Sequence, residues 1–240
     1  MKVREIYCFA YLIIFYFTSH ILFIEVKKDF RFPKINCKLC NYPLLSCGDS
    51  KYYNDCLNPQ FWWFHETINT IGLLLKHKTH KENCFFLDGS FLQEEDKITK
   101  DTKLMSVNYA EIITVLHKSS HFAAVSVSIH NKSVSEIIVY DGRKSNAVAW
   151  WNQRLRCLLK KIGHPNSDLT KARRYNSDDF SGIDFINQPC HDNSNCGPIA
   201  AMVLLCKFLP EDIDYRMSVP AFRGFLIKKL LHMLDDTSTV

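Results

Sequence analysis

The stretch Gln188-Pro189-Cys190-His191-Asp192-Asn193-Ser194-Asn195-Cys196-Gly197-Pro198-Ile199-Ala200-Ala201-Met202-Val203-Leu204-Leu205 changes character at its midpoint. Its first half is polar and rich in turn formers. Its second half is an apolar run opening with Gly-Pro, and proline is tolerated in a helix only in the first turn. Cys196 is therefore expected at the start of a buried helix. Unpaired backbone N–H groups and the positive end of the macrodipole would there favour a thiolate. The same position also suits a small packed residue, so the case for chemistry rests on what lies upstream.

Upstream, Glu111–Leu116 is rich in β-branched residues, His121–Ile129 alternates, and Val134–Tyr140 forms a third strand after a turn at Asn131–Ser133. His121 begins one strand and Asp141 ends the next. In such a hairpin the start of the first strand lies beside the end of the second, so imidazole and carboxylate can meet. Asp141 would orient the ring, and the other ring nitrogen would face Cys196 as general base or as the imidazolium of an ion pair. His117, four residues earlier, is an alternative base. Glutamine or asparagine side chains before Cys196 could add an oxyanion donor to the N–H of Cys196 itself. Each piece has an ordinary structural explanation, a turn for Asp141 and a strand residue for His121. Their joint order is what argues for cysteine-nucleophile chemistry.

The remaining elements frame this group. Residues 61–75 place Phe64, Thr67, Ile68, Ile71, Leu74 and Leu75 on one helical face, and 147–162 read as an amphipathic helix through Trp150, Trp151, Leu155, Leu158, Leu159 and Ile162. Residues 76–103 read as polar, with short apolar pieces at Cys84–Leu87 and Phe91–Leu92. Residues 163–182 read as a loop, Phe185-Ile186 as a short strand and Val219–Leu234 as a closing helix. The expected class is α+β, a central, mainly antiparallel sheet flanked by helices.

The 240 residues, 47% apolar and 23% charged, can bury one sizeable core. A net charge of +5 does not demand nucleic acid, and no nucleic-acid partner is expected. Cys84, Cys157 and Cys206 sit among apolar neighbours as ordinary free thiols. Three segments are expected: 1–30, 31–56 and 57–240. Residues 7–24 are continuously apolar apart from Thr18, Ser19 and His20, and suggest an anchor, a secretion signal or a mis-predicted start. Without a small-x-small cleavage site an anchor is favoured, with the catalytic domain on the cytosolic side; a cleaved signal would mean secretion. Cys37, Cys40, Cys47 and Cys56 make a cysteine-rich linker whose spacing does not match a zinc site, so no metal is expected and disulfides or free thiols remain.

Residues 57–235 resemble the ubiquitin-like-protein-specific (Ulp/sentrin-type) cysteine proteases, relatives of the adenoviral proteinase. Trp63-Phe64-His65-Glu66-Thr67-Ile68-Asn69 is similar to the family's Trp-Leu-Asn-Asp-x-x-Ile helix. His121-Phe122 is similar to its His-Trp, Tyr140-Asp141-Gly142 to its Tyr-Asp-Ser, and Asn195-Cys196-Gly197-Pro198 to its Asp-Cys-Gly. The resemblance implies a papain-like core with permuted His-Asp-Cys order, and His121, Asp141, Cys196 and Gln188 as catalytic residues. It implies Trp63, Phe122, His65 and Glu66 as substrate contacts and no cofactor. The partner would be ubiquitin or a ubiquitin-like protein of the SUMO or NEDD8 type, cleaved after its terminal Gly-Gly. Three departures stand out: Phe122 replaces a tryptophan, His65-Glu66 replace Asn-Asp, and Gln188 lies eight residues before Cys196 instead of six or seven. Two other readings share the sequence: a same-fold acetyltransferase, and a membrane-tethered modifier-binding module in which catalysis has lapsed.

Overall fold

The structure, a computed structural model, describes residues 56, 58, 60–79, 81, 83–89, 110–143, 148–175, 188, 192–209, 221–226 and 229. Residues 7–24, Cys37, Cys40, Cys47, Phe91–Leu92 and Phe185-Ile186 lie outside them. Among the described residues no helix is long and apolar enough to cross a membrane. Two units are distinguished, Trp62–Phe222 and a second comprising Met1–Phe61 with Arg223–Val240. In the second, the buried Arg223 donates from Nη1 to the Cys56 carbonyl and from Nη2 to that of Phe61, both at 3.0 Å. Cys56 is buried.

The unit Trp62–Phe222 begins with helix α1 (His65–Thr79) and strand β1 (Cys84–Leu87). Strands β2 (Glu111–Lys118), β3 (His121–His130) and β4 (Ser133–Tyr140) follow as a meander. A 3-10 turn (Val148–Trp151) leads into α2 (Asn152–Lys161), and β5 (Ala172–Arg174) precedes α3 (Cys196–Phe208). The five strands form one sheet in the order β1-β2-β3-β4-β5. The two central pairings are antiparallel, and both outer ones, β1 with β2 and β4 with β5, are parallel. This is the α+β class expected, with a mixed sheet.

Helix α1 starts and ends four residues later than expected, and the difference removes Phe64 from the buried face. Phe64 lies just outside the helix, its carbonyl accepting from the N–H groups of Thr67 and Ile68. Its side chain is 55% exposed, while Ile68, Ile71 and Leu75 are fully buried.

Both faces of the sheet are covered. On one, Ile112, Leu116, Ala123, Val125, Val127, Ile137 and Val139 pack with Trp151, Leu155, Leu158, Leu159 and Ile162. The other carries α3, which is buried along its whole length except at Lys207. A strand sandwiched in this way buries both alternating sets of its side chains, which explains why β3 is buried from His121 through Val127.

Two-residue turns fix the register of the meander. Ser119 and Ser120 have φ of 47° and 59°, and Asn131 and Lys132 of 49° and 60°. Consecutive left-handed residues make the turn whose twist matches that of paired strands. They pair Lys118 with His121 and His130 with Ser133. A one-residue slip would send His121 to the opposite face.

Lys132 is exposed and pays a left-handed penalty of ~1 kcal/mol that glycine avoids. Lys132→Gly should therefore raise stability by about 0.5 kcal/mol after glycine's own entropy cost, and Lys132→Val should lower it. Urea titration of the three proteins is the check, and a loss in the glycine variant would contradict the turn assignment.

Candidate active site

His121 and Asp141 meet because of the sheet register. Ala124 pairs with Tyr140, so Asp141, one residue beyond β4, falls opposite Ala123 and diagonal to His121 on the same face. His121 Nε2 lies 2.7 Å from Asp141 Oδ1, and the two side chains are 0% and 1% exposed. Asp141 Oδ1 also accepts from the backbone N–H of Arg143 at 2.9 Å, and Oδ2 from the Trp151 indole at 2.8 Å. Burial alone would push this carboxyl up. The hydrogen bond and charge of His121, with the Arg143 and Trp151 donors, outweigh it and hold Asp141 below the usual carboxylate range.

The imidazole is held on its flanks as well, with the Trp150 and Trp151 rings each 5.9 Å away by centroid. Its Nδ1 is buried and makes no hydrogen bond among the described residues. An oriented imidazole with one nitrogen on a carboxylate and the other free is equipped to accept a proton. His117 does not share this geometry. It sits opposite Phe122 in the β2–β3 ladder, packs on that ring at 4.7 Å and lies 6.2 Å from His65. Burial, reinforced by the nearby charges of His65, Arg154 and His121, holds its pKa down.

Cys196 is the first residue of α3, 2% exposed and a free thiol. The helix start was expected to favour the thiolate, but the balance runs the other way. Burial raises the thiol's pKa, and the opposing hydrogen bonds from the backbone of Phe122, Gly197 and Cys196, with the charge of Arg143, recover only part of it. Desolvation wins because the sulfur is almost wholly out of water. The Phe122 hydrogen bond also locates the sulfur beside the residue that follows His121. Gly197 permits this seat: a Cβ there would lie 3.1 Å from Trp63 Cβ and 3.2 Å from Ile68 Cδ1.

The segment before Cys196 is folded back on itself. Asp192 Oδ1 accepts from the N–H groups of Ser194 (2.9 Å) and Asn195 (3.1 Å), and Oδ2 from Asn195 Nδ2 (2.6 Å). The Asp192 carbonyl accepts from Gln188 Nε2 at 2.6 Å. Gln188 is buried, its N–H donates to the Gly142 carbonyl at 2.7 Å, and it forms a parallel bridge with Arg143. Asp192 thus closes a turn directly before Cys196 and ties that turn to Gln188. Asn193 is exposed, and its carbonyl accepts from the Trp62 indole.

The residues read as substrate contacts divide. Trp63 is 1% exposed and packs beneath Gly197. Phe122 is also buried, stacked on His65 with centroids 6.0 Å apart and planes 6° from parallel. His65 is half-buried, its Nδ1 3.3 Å from Asn69 Nδ2. The side chain of Glu66 lies outside the described residues, as do Cys190 and His191. Three residues gained roles that sequence reasoning missed. Trp151 had been read only as a core residue, Asp192 only as part of a turn-rich stretch, and Arg143 not at all. The position of Arg143, two residues after Asp141, was the one available signal.

Trp151→Phe should keep the packing but remove one donor from a buried carboxylate, at a cost of about 1.5–3 kcal/mol near neutral pH. Asp141 is depressed in the folded state, so its contribution is present above the unfolded value of about 3.9 and fades as pH falls through the lower folded value. The stability gap between the variant and the parent should accordingly close in acid. Denaturant titrations at pH 7 and near pH 3 test this, and a pH-independent gap would mean that the indole N–H is not the cause.

No protein-family profile matches the chain, and no curated protein matches it. Solved structures do. One is the catalytic domain of a Ulp1-like SUMO protease from Chaetomium thermophilum, at 12% identity over 75% of this chain and 74% of that one, with a TM-score of 0.50. Others are a de-sumoylating protease (13% identity, 77% and 83% covered, TM-score 0.48) and the Xanthomonas campestris effector XopD bound to ubiquitin (14%, 71% and 90%, 0.48). At such identities the likeness concerns the fold, and the chain shares the α+β fold of a Ulp1-like SUMO protease catalytic domain.

Proposed function

We propose that the chain is a thiol protease or isopeptidase that cleaves after the C-terminal Gly-Gly of a ubiquitin-like modifier. The observation that carries this reading is the buried His121–Asp141 pair whose free Nδ1 lies one residue from the backbone N–H that meets the Cys196 sulfur. A structural neighbour at a TM-score of 0.50 is a Ulp1-like SUMO protease catalytic domain, which supports the substrate class.

In this reading the buried thiol is neutral at rest, and His121 Nδ1 takes its proton as the sulfur attacks the terminal glycine carbonyl. The tetrahedral oxyanion is met by the Cys196 N–H and by the second Nε2–H of Gln188, the first being held by Asp192. The C–N bond breaks as the departing amine takes the proton from His121. Water then attacks the thioester with His121 again as base, releasing the modifier's carboxylate and restoring the thiol. Glycine is required beside the scissile bond because only it lets the backbone pass so close to a closed site. With Trp63 buried, contact with the modifier from this stretch falls to the exposed Phe64 and the half-exposed Trp62 and His65.

A panel of modifier vinyl sulfones should label Cys196, and Cys196→Ala should abolish both labelling and turnover. His121→Ala should be nearly inactive, Asp141→Asn less so and His117→Ala mild. Labelling at Cys190, or an inactive His117→Ala beside an active His121→Ala, would overturn the assignment.

The oxyanion donor has its own test. Gln188→Ala should lower the turnover number by about 100- to 1,000-fold, the usual loss for one donor. Asn193→Ala should leave it close to the parent, since that side chain is exposed. The reverse ranking would exclude Gln188.

A further inference from the structure

Lys118 takes no part in the mechanism above, yet its side chain is tied to the edge of the site. It is the last residue of β2 and pairs with His121, the first residue of β3, across the Ser119-Ser120 turn. Directly paired residues project from the same face of a sheet, so lysine and imidazole leave the hairpin side by side. The lysine then reaches the 3-10 turn before α2. Its Nζ donates to the Trp150 carbonyl at 2.6 Å and lies 4.8 Å from the centroid of the Trp150 ring.

Both contacts bear on His121. The Trp150 ring that meets the ammonium also lies 5.9 Å from the imidazole, and it packs edge-on against Trp151 with centroids 4.6 Å apart. Trp151 in turn flanks the imidazole at 5.9 Å and donates its indole N–H to Asp141 Oδ2. The two indoles therefore form one unit that touches both the ring and its carboxylate. Trp151 belongs to the buried core, whereas Trp150 is half-buried and packs only against the outside of that core. A ring at such an edge gains most from a fastening that the core does not provide. Lys118 fastens it twice, by a charge-assisted hydrogen bond to the backbone and by a cation–π contact to the ring.

We propose that Lys118 is a positioning residue for the His121–Asp141 pair, its ammonium holding in place the two indoles that flank the imidazole. This rests on the reading of His121 as the general base. Asp141 grips the ring at one nitrogen, Nε2, which leaves the ring free to swing about that hydrogen bond. A base that takes a proton at Nδ1 and hands it to a departing amine must keep its plane between the two steps. The flanking indoles fix that plane, and Lys118 fixes the indoles. The lysine acts through the tryptophans and need not touch the substrate or the sulfur.

The test compares the full-length parent with Lys118→Met, which keeps the aliphatic stem without the ammonium, and Lys118→Arg, which keeps a cation and a donor. Lys118→Gln serves as a second neutral variant. The first readout needs no substrate: the ring C–H signals of His121 by NMR in protein carrying isotope-labelled histidine, assigned by their loss in His121→Gln. In the Met and Gln variants these signals should broaden and move towards those of an unflanked histidine, and in the Arg variant they should stay near the parent. The exposed His130, at the far end of β3, should be unmoved in every protein. The second readout is turnover of fluorogenic C-terminal amides of ubiquitin-like modifiers. Lys118→Met should lower kcat about three- to tenfold with KM within about twofold of the parent, and Lys118→Arg should recover most of the loss. Unmoved His121 signals in both neutral variants, an arginine variant as displaced as the methionine one, or a defect confined to KM would overturn the proposal. So would an unchanged kcat in Lys118→Met beside an active parent. A parent that turns over none of the amides, yet whose His121 signals respond to Lys118→Met, sinks the protease reading and keeps the positioning role. An active parent whose imidazole ignores Lys118 does the opposite.

Discussion

A carboxylate and an imidazole lie 2.7 Å apart with almost no exposure to water, and much of the surrounding structure serves to make that tolerable. Taking a charge out of water is costly unless every lone pair finds a donor. Asp141 finds three, from β3, from the loop after β4 and from the turn before α2. Arg174 of β5 adds a fourth tie, its Nη2 donating to the Asp141 carbonyl at 3.0 Å. The parallel outer strand, the 3-10 turn and the central hairpin thus converge on one residue. Removing the hairpin or the 3-10 turn would leave a buried carboxylate short of a donor, and removing β5 would leave the Asp141 carbonyl without its Arg174 partner.

The same burial governs the thiol, with a different outcome. Asp141 is compensated by donors and stays ionised, whereas the Cys196 sulfur is undercompensated and stays protonated. A helix start supplies partial charges through its N–H groups, and their worth is about 0.3–1 kcal/mol at exposed sites. Desolvation of a cysteine that is 2% exposed outweighs it. In the mechanism proposed above, such a thiol needs its base at the moment of attack. That favours proton transfer coupled to substrate binding over a standing ion pair, and it protects the thiol from indiscriminate reaction.

How much of this was legible in the sequence follows from which signals are local. The three central strands declared themselves through β-branched runs and alternation, and Cys196 through Gly-Pro before an apolar run. The hairpin argument that brought His121 to Asp141 needed only strand order. Strands β1 and β5 escaped because four and three residues carry no period, and Ala172-Arg173-Arg174 is too polar to resemble a buried strand. Their parallel pairing is decided by chain segments far apart in sequence. Phe64 was misplaced because a 3.6-residue stripe does not say where the helix begins, and its carbonyl serves as the first acceptor. The net pKa of Cys196 was misjudged because a sequence displays the helix start but not the desolvation around it.

The donors to Asp141 also set a balance within the site. The Arg143 and Trp151 hydrogen bonds keep the carboxylate ionised, so that an imidazolium at His121 has a counter-charge. The same bonds withdraw electron density from that carboxylate and weaken its pull on the Nε2 proton, which lowers the basicity it lends to Nδ1. Fewer donors would give a stronger pull, but a carboxylate that protonates in mild acid and a pair whose burial is no longer compensated. Three donors therefore favour a ring fixed in one tautomer over a ring of maximal basicity.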